Sequence, residues 1–191
     1  MTTLIGRSIV LREFRAEDVP DAFQVIGDDR VTYWLSFDSR DEPAAELMVR
    51  GAIERAAAVP RTEYYLAIAS SHTDVLVGFI RLALTGVKAA KLGYAVRADD
   101  WGRGYASEAV DLMLSHAFES LGLHRVTVAI GPDNIRSISL AEKFGFRYEG
   151  RLRDHVFTNG AWRDSLLYSV LTQERRALKG PGRAPAAGDS L

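Results

Sequence analysis

Trp101-Gly102-Arg103-Gly104-Tyr105-Ala106-Ser107 is the stretch whose reading decides the fold. A strand-like run, Lys91 to Val96, precedes it, and an amphipathic run starting near Glu108 follows it. Gly102 and Gly104 remove two β-carbons where the chain turns into a helix, so a ligand can approach N–H groups that have no intrahelical partner. Free amides and the macrodipole together favour phosphate at such a terminus, and Arg103 adds a cation. Spacing alone is equally compatible with a tight turn. A dinucleotide fingerprint would need a third glycine near Ser107 and an acidic residue about twenty positions on, where His124 and Arg125 stand. The Gly-Lys-Ser/Thr of a P-loop is absent. The expected ligand carries phosphate but is neither NAD nor a nucleoside triphosphate held in the usual way.

Working outward, the Glu108–Ser120 run places Ala109, Leu112, Met113 and Ala117 on one stripe of a helix. Arg125–Ile130 is β-branched and reads as a strand. Gly131-Pro132-Asp133-Asn134 is a turn, and a helix from about Ile135 to Lys143 stops at Gly145. Phe146–Phe157 and Ala161–Leu171 flank Asn159-Gly160, a strong hairpin signal. Upstream, Ser8–Phe14 alternates as a strand, and Glu17–Ile26 reads as a short helix. The segment 28–41, with Tyr33, Trp34 and Phe37, is irregular. Pro43 opens a second helix running to about Ala58. Glu63–Ala69, Val75–Leu84 and Lys91–Val96 are strands joined by short turns. The order β-α-α-β-β-β-α-β-α-β-β describes a mixed sheet covered by helices. Residues 1–174 are expected to form one domain and 175–191 a disordered tail rich in Gly, Pro and Ala.

Composition narrows the function classes. A chain of 191 residues is long enough for one domain with a real core. A net charge of −1 supplies no long-range field toward nucleic acid or an anionic membrane. The sequence has no cysteine, which excludes disulfides, thiolate metal sites and a cysteine nucleophile. No metal cofactor is expected. Met1 to Arg12 lacks a long apolar core and no segment reaches transmembrane length, so a cytoplasmic protein is expected.

With that order in hand, the chain resembles the GNAT-superfamily N-acetyltransferases, and among them the RimJ/RimL-type branch. Trp101-x-x-Gly104-x-Ala106 stands for the acyl-CoA loop, and Asn134-x-x-Ser137 through Glu142-Lys143 to Gly145-Phe146 matches the following helix. Glu149-Gly150-x-Leu152-Arg153, with Asp164 and Tyr168, matches the closing strands. The match covers roughly Ser8 to Leu171. It implies a GNAT fold of α/β (α+β) class: a mixed, mostly antiparallel sheet of six to seven strands, flanked by about four helices. The fourth and fifth strands, here Lys91–Val96 and Arg125–Ile130, splay to admit the pantetheine arm of acetyl-CoA. The resemblance places Tyr94, Ala95, Val96, Trp101, Gly102, Arg103, Gly104, Tyr105, Ala106, Asn134 and Ser137 against the cofactor. It allows a homodimer, although the sequence carries no interface signature.

Acetyl transfer to an amine requires a neutral nucleophile, a stabilised carbonyl oxygen, alignment, and a proton for the leaving thiolate. Unpaired backbone donors around Ala95 to Arg97 could polarise the carbonyl. Many family members protonate the thiolate with a Tyr one turn beyond Ser137, where this chain has Ala141. The branch implies Ser137 for that role, whereas helix capping would use Asn134 and Ser137 structurally. Relatives that carry a Glu base have it where this chain has Lys91 or Val156. His155, with a suitable unperturbed pKa, and ordered water are the alternatives. His116 is expected on the outer face of its helix, and His124 in a structural role. Tyr33, Trp34 and Phe37, with His155, Phe157 and Trp162, are candidates for the acceptor pocket, while Trp34 and Trp162 equally fit a core role. The acceptor is a protein N-terminus or a small amine. The open alternatives are another donor such as succinyl-CoA, or an acyl-CoA-binding module without catalysis.

Overall fold

Alternation along the strand runs gives one sheet two apolar faces, and each face gathers its own helices. A computed structural model describes residues 1–179. Its elements are β1 (Leu4–Ile5), β2 (Ile9–Arg12), α1 (Val19–Ile26), α2 (Asp29–Thr32), α3 (Glu42–Ala56), β3 (Glu63–Ser70), β4 (Leu76–Leu84), β5 (Ala89–Val96), α4 (Tyr105–Ser115), β6 (Arg125–Ile130), α5 (Ile135–Lys143), β7 (Arg147–Thr158), β8 (Ala161–Leu171) and α6 (Thr172–Lys179). The eight strands form one sheet in the order β1-β2-β3-β4-β5-β6-β8-β7. All neighbours are antiparallel except β5 and β6.

One core lies between the sheet and α4 and α5, where Ile80, Leu82, Leu92, Val110, Met113 and Phe144 interlock. The other lies beneath α1 and α3 and contains Val25, Ile26, Val49, Phe79 and Ala95. Fully burying an aliphatic side chain of this kind contributes about 1.5–3 kcal/mol. Neighbouring β5 residues therefore serve opposite faces: Leu92 packs toward α4 and Ala95 toward α1 and α3.

The feature that builds the site is a loss of pairing between β5 and β6. These strands pair in parallel only at Ala89↔Arg125, Ala90↔Val126 and Lys91↔Thr127. Beyond that point β5 remains bound to β4 as far as Val96, while β6 remains bound to β8 as far as Ile130. Each strand follows its outer neighbour, and a V opens in the middle of the sheet. The splay expected from the resemblance is present.

Several sequence expectations are corrected. The sheet has eight strands rather than six or seven, one of them the short β1 paired with β2. Among the described residues there are six α-helices rather than about four. The additions are α2, inside the segment expected to be irregular, and α6, at the start of the expected tail. Arg175 to Lys179 are helical, and the Arg175 side chain is buried. The rest of the expected tail lies outside the described residues. Helix α4 begins at Tyr105, and its end passes into a π-turn, His116–Ser120, instead of a continuous helix. His116 is not on an outer face: its ring packs edge-on against Tyr64 at 4.9 Å. No helix among the described residues is long and apolar enough to cross a membrane.

Candidate active site

The V is a cleft of about 1090 Å³ through the sheet, and hydrogen-bond phase decides which backbone groups face it. The Thr85 amide donates to the Ala89 carbonyl and the Arg97 amide to the Val77 carbonyl, both at 2.8 Å. In an antiparallel ladder the bonding residues alternate, so the odd-numbered residues of β5 face β4. The amides of Tyr94 and Val96 therefore face the gap, and those of Ala95 and Arg97 do not. This corrects the expectation of donors from Ala95 to Arg97: Ala95 lines the cleft, but its N–H belongs to the ladder. On β6, the bond from the Thr172 amide to the His124 carbonyl sets the even residues toward β8. Ala129 thus faces the gap from the opposite side.

The gap opens onto the glycine turn. Gly102 and Gly104 have φ of 82° and 84°, a left-handed conformation that side-chain-bearing residues rarely adopt. Gly104 is the N-cap of α4, and the first helical bond runs from the Glu108 amide to its carbonyl at 3.0 Å. The amides of Tyr105, Ala106 and Ser107 precede that bond and are the free donors of the helix terminus. The Trp101 indole N–H donates to the Val96 carbonyl at 2.8 Å, tying the turn to the end of β5. Buried Asp100 pairs with Arg97 at 2.7 Å and Arg103 at 3.3 Å, which anchors the turn. Arg103 stays at the rim, whereas Trp101, Gly102, Gly104, Tyr105 and Ala106 line the cleft. The Arg136 guanidinium lies over the Trp101 ring at 5.4 Å, and Lys143 donates to the Ser107 hydroxyl at 2.9 Å. The turn therefore combines unpaired amides with nearby cations, an arrangement that suits a phosphate group.

Helix α5 supplies the next group. The Asn134 side-chain carbonyl accepts from the Ser137 amide at 3.1 Å, so Asn134 caps the helix and both residues line the cleft. Capping uses the Ser137 amide and leaves its hydroxyl available. Tyr94 lines the cleft with it: burial raises the pKa of the phenol, and the Ser137 side chain acts against that rise. Tyr94 was expected against the cofactor; the place of its side chain beside Ser137 was missed. The available signal was its place in the even-numbered set on β5, with Leu92 and Val96.

Across the sheet, His155 enters the cleft from β7. The register slips between Leu152↔Ser165 and Val156↔Arg163, and Asp154 takes a φ of 46° inside this bulge. Bulges re-aim side chains, and this one turns His155 inward. The His155 Nδ1 lies 2.9 Å from the Ser165 hydroxyl. Its pKa is lowered, first by burial and then by the charge of Lys91, so the ring is neutral at neutral pH. Trp34 lines the cleft, together with Leu35 and Ser36. Tyr33 and Phe37 do not: Tyr33 lies behind Trp34 and beneath the Arg163 guanidinium, and Phe37 packs against the α1–α3 core. Phe157 and Trp162, at 57% and 62% exposure, stack edge-on at 5.3 Å on the β7–β8 hairpin, outside the cleft. Arg163 was missed. It lines the cleft and donates to the Tyr33 carbonyl at 2.7 Å and to the Thr158 hydroxyl at 3.1 Å.

A helix terminus with free amides, a split sheet, and a histidine lining the same cleft as Ser137 and Tyr94 are features that suit an acyl-transfer site. The chain belongs to the GNAT acetyltransferases: the family model described as an acetyltransferase (GNAT) domain matches residues 8–147. It is 28% identical over 185 residues to the uncharacterized N-acetyltransferase p20 of Bacillus licheniformis, covering 91% of this chain and 98% of that one. It is 30% identical over 86 residues to the [ribosomal protein uS5]-alanine N-acetyltransferase of Escherichia coli, or 45% of this chain and 44% of that one. The structure of Mycobacterium smegmatis RimJ in complex with CoA-disulfide matches with a TM-score of 0.76 at 25% identity, over 91% of this chain and 87% of that one. The chain is thus a GNAT acetyltransferase that is similar to RimJ/RimL-type enzymes.

Proposed function

We propose that this enzyme binds acetyl-CoA in the V and passes the acetyl group directly to a primary amine in a ternary complex. The observation that carries the reading is the pair of gap-facing amides, Tyr94 and Val96, continuous with the glycine turn at the head of α4. The diphosphate rests on the amides of Tyr105, Ala106 and Ser107, with Arg103 beside it. Charge-assisted bonds contribute about 1.5–3 kcal/mol each, so a few of them account for micromolar binding. Asn134, through its side-chain amide, and Ala129 bind the pantetheine.

The Val96 amide holds the thioester oxygen as negative charge builds on it. His155 takes a proton from the incoming ammonium, directly or through water, and frees the nucleophilic nitrogen. The C–N bond forms, the C–S bond breaks, and the leaving thiolate takes a proton from the Ser137 hydroxyl, with Tyr94 beside it; the proton that the new amide nitrogen sheds returns through water to restore the donor. A lone serine is a weak acid, and the buried phenol shares that load. Trp34 borders the acceptor. The acceptor is a protein N-terminus, as the name of the E. coli relative states for its own substrate, or a small amine. The convergence of Ser137, Tyr94 and His155 on one cleft argues against a module that only binds acyl-CoA.

The test is release of CoA thiol from acetyl-CoA across a panel of amines and N-terminal peptides. Amine-dependent release is expected, with acetyl-CoA outpacing succinyl-CoA. Tight binding of acetyl-CoA with no turnover on any member would overturn the transferase reading.

A further inference from the structure

The cleft passes through the sheet, so donor and acceptor have different surroundings. Tyr94 and Ser137 stand on the α4–α5 side, with the glycine turn. Lys91 and Gly93 share the odd-numbered set of β5 with Ala95, which faces α1 and α3. His155, Arg163 and the Trp34–Ser36 segment border this second side.

Its charges without a counter-ion are of one sign. Among the described residues no carboxylate lies within ion-pair distance of Lys91, which lines the cleft and acts on His155. Arg163 has no carboxylate partner either: its bonds go to the Tyr33 carbonyl and the Thr158 hydroxyl, and its ring contact is with Tyr33. Its Nη2 reaches toward the end of β6, 3.8 Å from where a β-carbon on Gly131 would stand. Asp164, the carboxylate lining the cleft from β7 and β8, is already engaged by Arg151 and by the Asp154 amide. The remaining acids along the cleft lie elsewhere: Asp100 is held by Arg97 and Arg103, and Asp133 is on the turn leading to α5.

We infer that the acceptor is a primary amine carrying a carboxylate, which Lys91 and Arg163 bind while His155 faces the amine; the inference rests on the acetyl-transfer reading above. Such an arrangement does two things. It recognises the anion, Arg163 offering planar paired donors and Lys91 a point charge. It also disfavours the ammonium form, so the bound amine loses its proton more readily. Polyamines and other polycations meet like charge and are rejected. The shared chemistry is a carboxylate beside a primary amine, supplied by a free amino acid or by a peptide N-terminus followed by an acidic residue.

The experiment compares matched acceptors at saturating acetyl-CoA, following thiol release. One arm pairs amino acids with their amides, and a second pairs peptides bearing Asp or Glu near the N-terminus with their Asn or Gln counterparts; a diamine is the cationic control. We expect kcat/KM at least tenfold higher for the carboxylate member of a pair. The bias in solution runs the other way, because amidation lowers the amine pKa. The arm that shows the preference identifies the source. In Lys91→Gln the ratio falls severalfold, and in Lys91→Glu it approaches or passes one, with circular dichroism checking the fold. Equal or faster turnover of amides and diamines overturns the inference while leaving the transferase reading intact. Absence of turnover with every acceptor overturns both.

Discussion

Ser137 gives its amide to Asn134 and keeps its hydroxyl free of the cap, so capping and chemistry are separable in one residue. Ser137→Ala keeps the cap and removes the proton path. General acid catalysis is worth about 10²–10⁴-fold, and a relayed hydroxyl belongs at the low end, so kcat should fall about 10–100-fold. The KM for acetyl-CoA should stay within about twofold. Tyr94→Phe should produce a similar loss, and an unchanged kcat in both variants would remove the pair from the mechanism. His155 is held below the ordinary imidazole value of 6.5 by burial and by Lys91, so the acid limb of kcat/KM should lie below that value. Lys91→Met removes the cation and should move the limb upward toward 6.5, while His155→Gln should abolish it. A limb unmoved in Lys91→Met would show that another group titrates. Family resemblance singled out Asn134 and Ser137, residue type singled out His155, and all three line the cleft. The Tyr94 side chain and Arg163 were not legible, because their placement depends on cross-strand phase and on a three-against-one slip in β7 that no local pattern announces.

The glycine turn at the head of α4 works as an element because Gly102 and Gly104 both hold left-handed backbone. A side-chain-bearing residue pays about 1–2 kcal/mol to adopt that conformation. A β-carbon at either position meets open space, so the cost is conformational rather than steric. Gly104→Ala should therefore weaken acetyl-CoA binding severalfold in a calorimetric titration and lower the melting temperature by a few degrees; unchanged affinity would detach the turn from the ligand. Elements with a strong period or a sharp stop were readable. The strand Arg125–Ile130, the helix Ile135–Lys143 and the strand Ala161–Leu171 have the bounds the sequence suggests. The strand Leu4–Ile5 and helix Asp29–Thr32 are shorter than one period of any pattern, so tertiary contacts define them. The π-turn at His116 left no trace in the apolar stripe, which runs on through Ala117.

At the scale of the molecule, buried and paired ionisable groups make stability depend on pH in two steps. His116 has a lowered pKa, first from burial and then from Arg61, and its Nε2 is buried without a partner. Protonation favours the unfolded chain, so its contribution is complete above 6.5 and is lost as pH falls through the lowered folded value. Glu149 is held at about 2, chiefly by Arg125 and then by Ser169, and Asp74 is lowered mainly by Arg12. These contributions persist above the usual carboxylate range and disappear as pH drops below it. Urea midpoints should decline between pH 7 and 5 and again below about 4.5. His116→Phe should flatten the first step and Glu149→Gln the second; a midpoint constant from pH 7 to 3 would contradict both assignments. The two-faced sheet was legible in alternation, whereas the V came from family resemblance, because strand separation is set by partners on either side and not by β5 or β6 alone. The V and its glycine turn carry the whole account, and calorimetric titration with CoA and acetyl-CoA tests them most directly. Saturable, micromolar, one-to-one binding is the predicted result, and no heat with either ligand at millimolar concentration would contradict it.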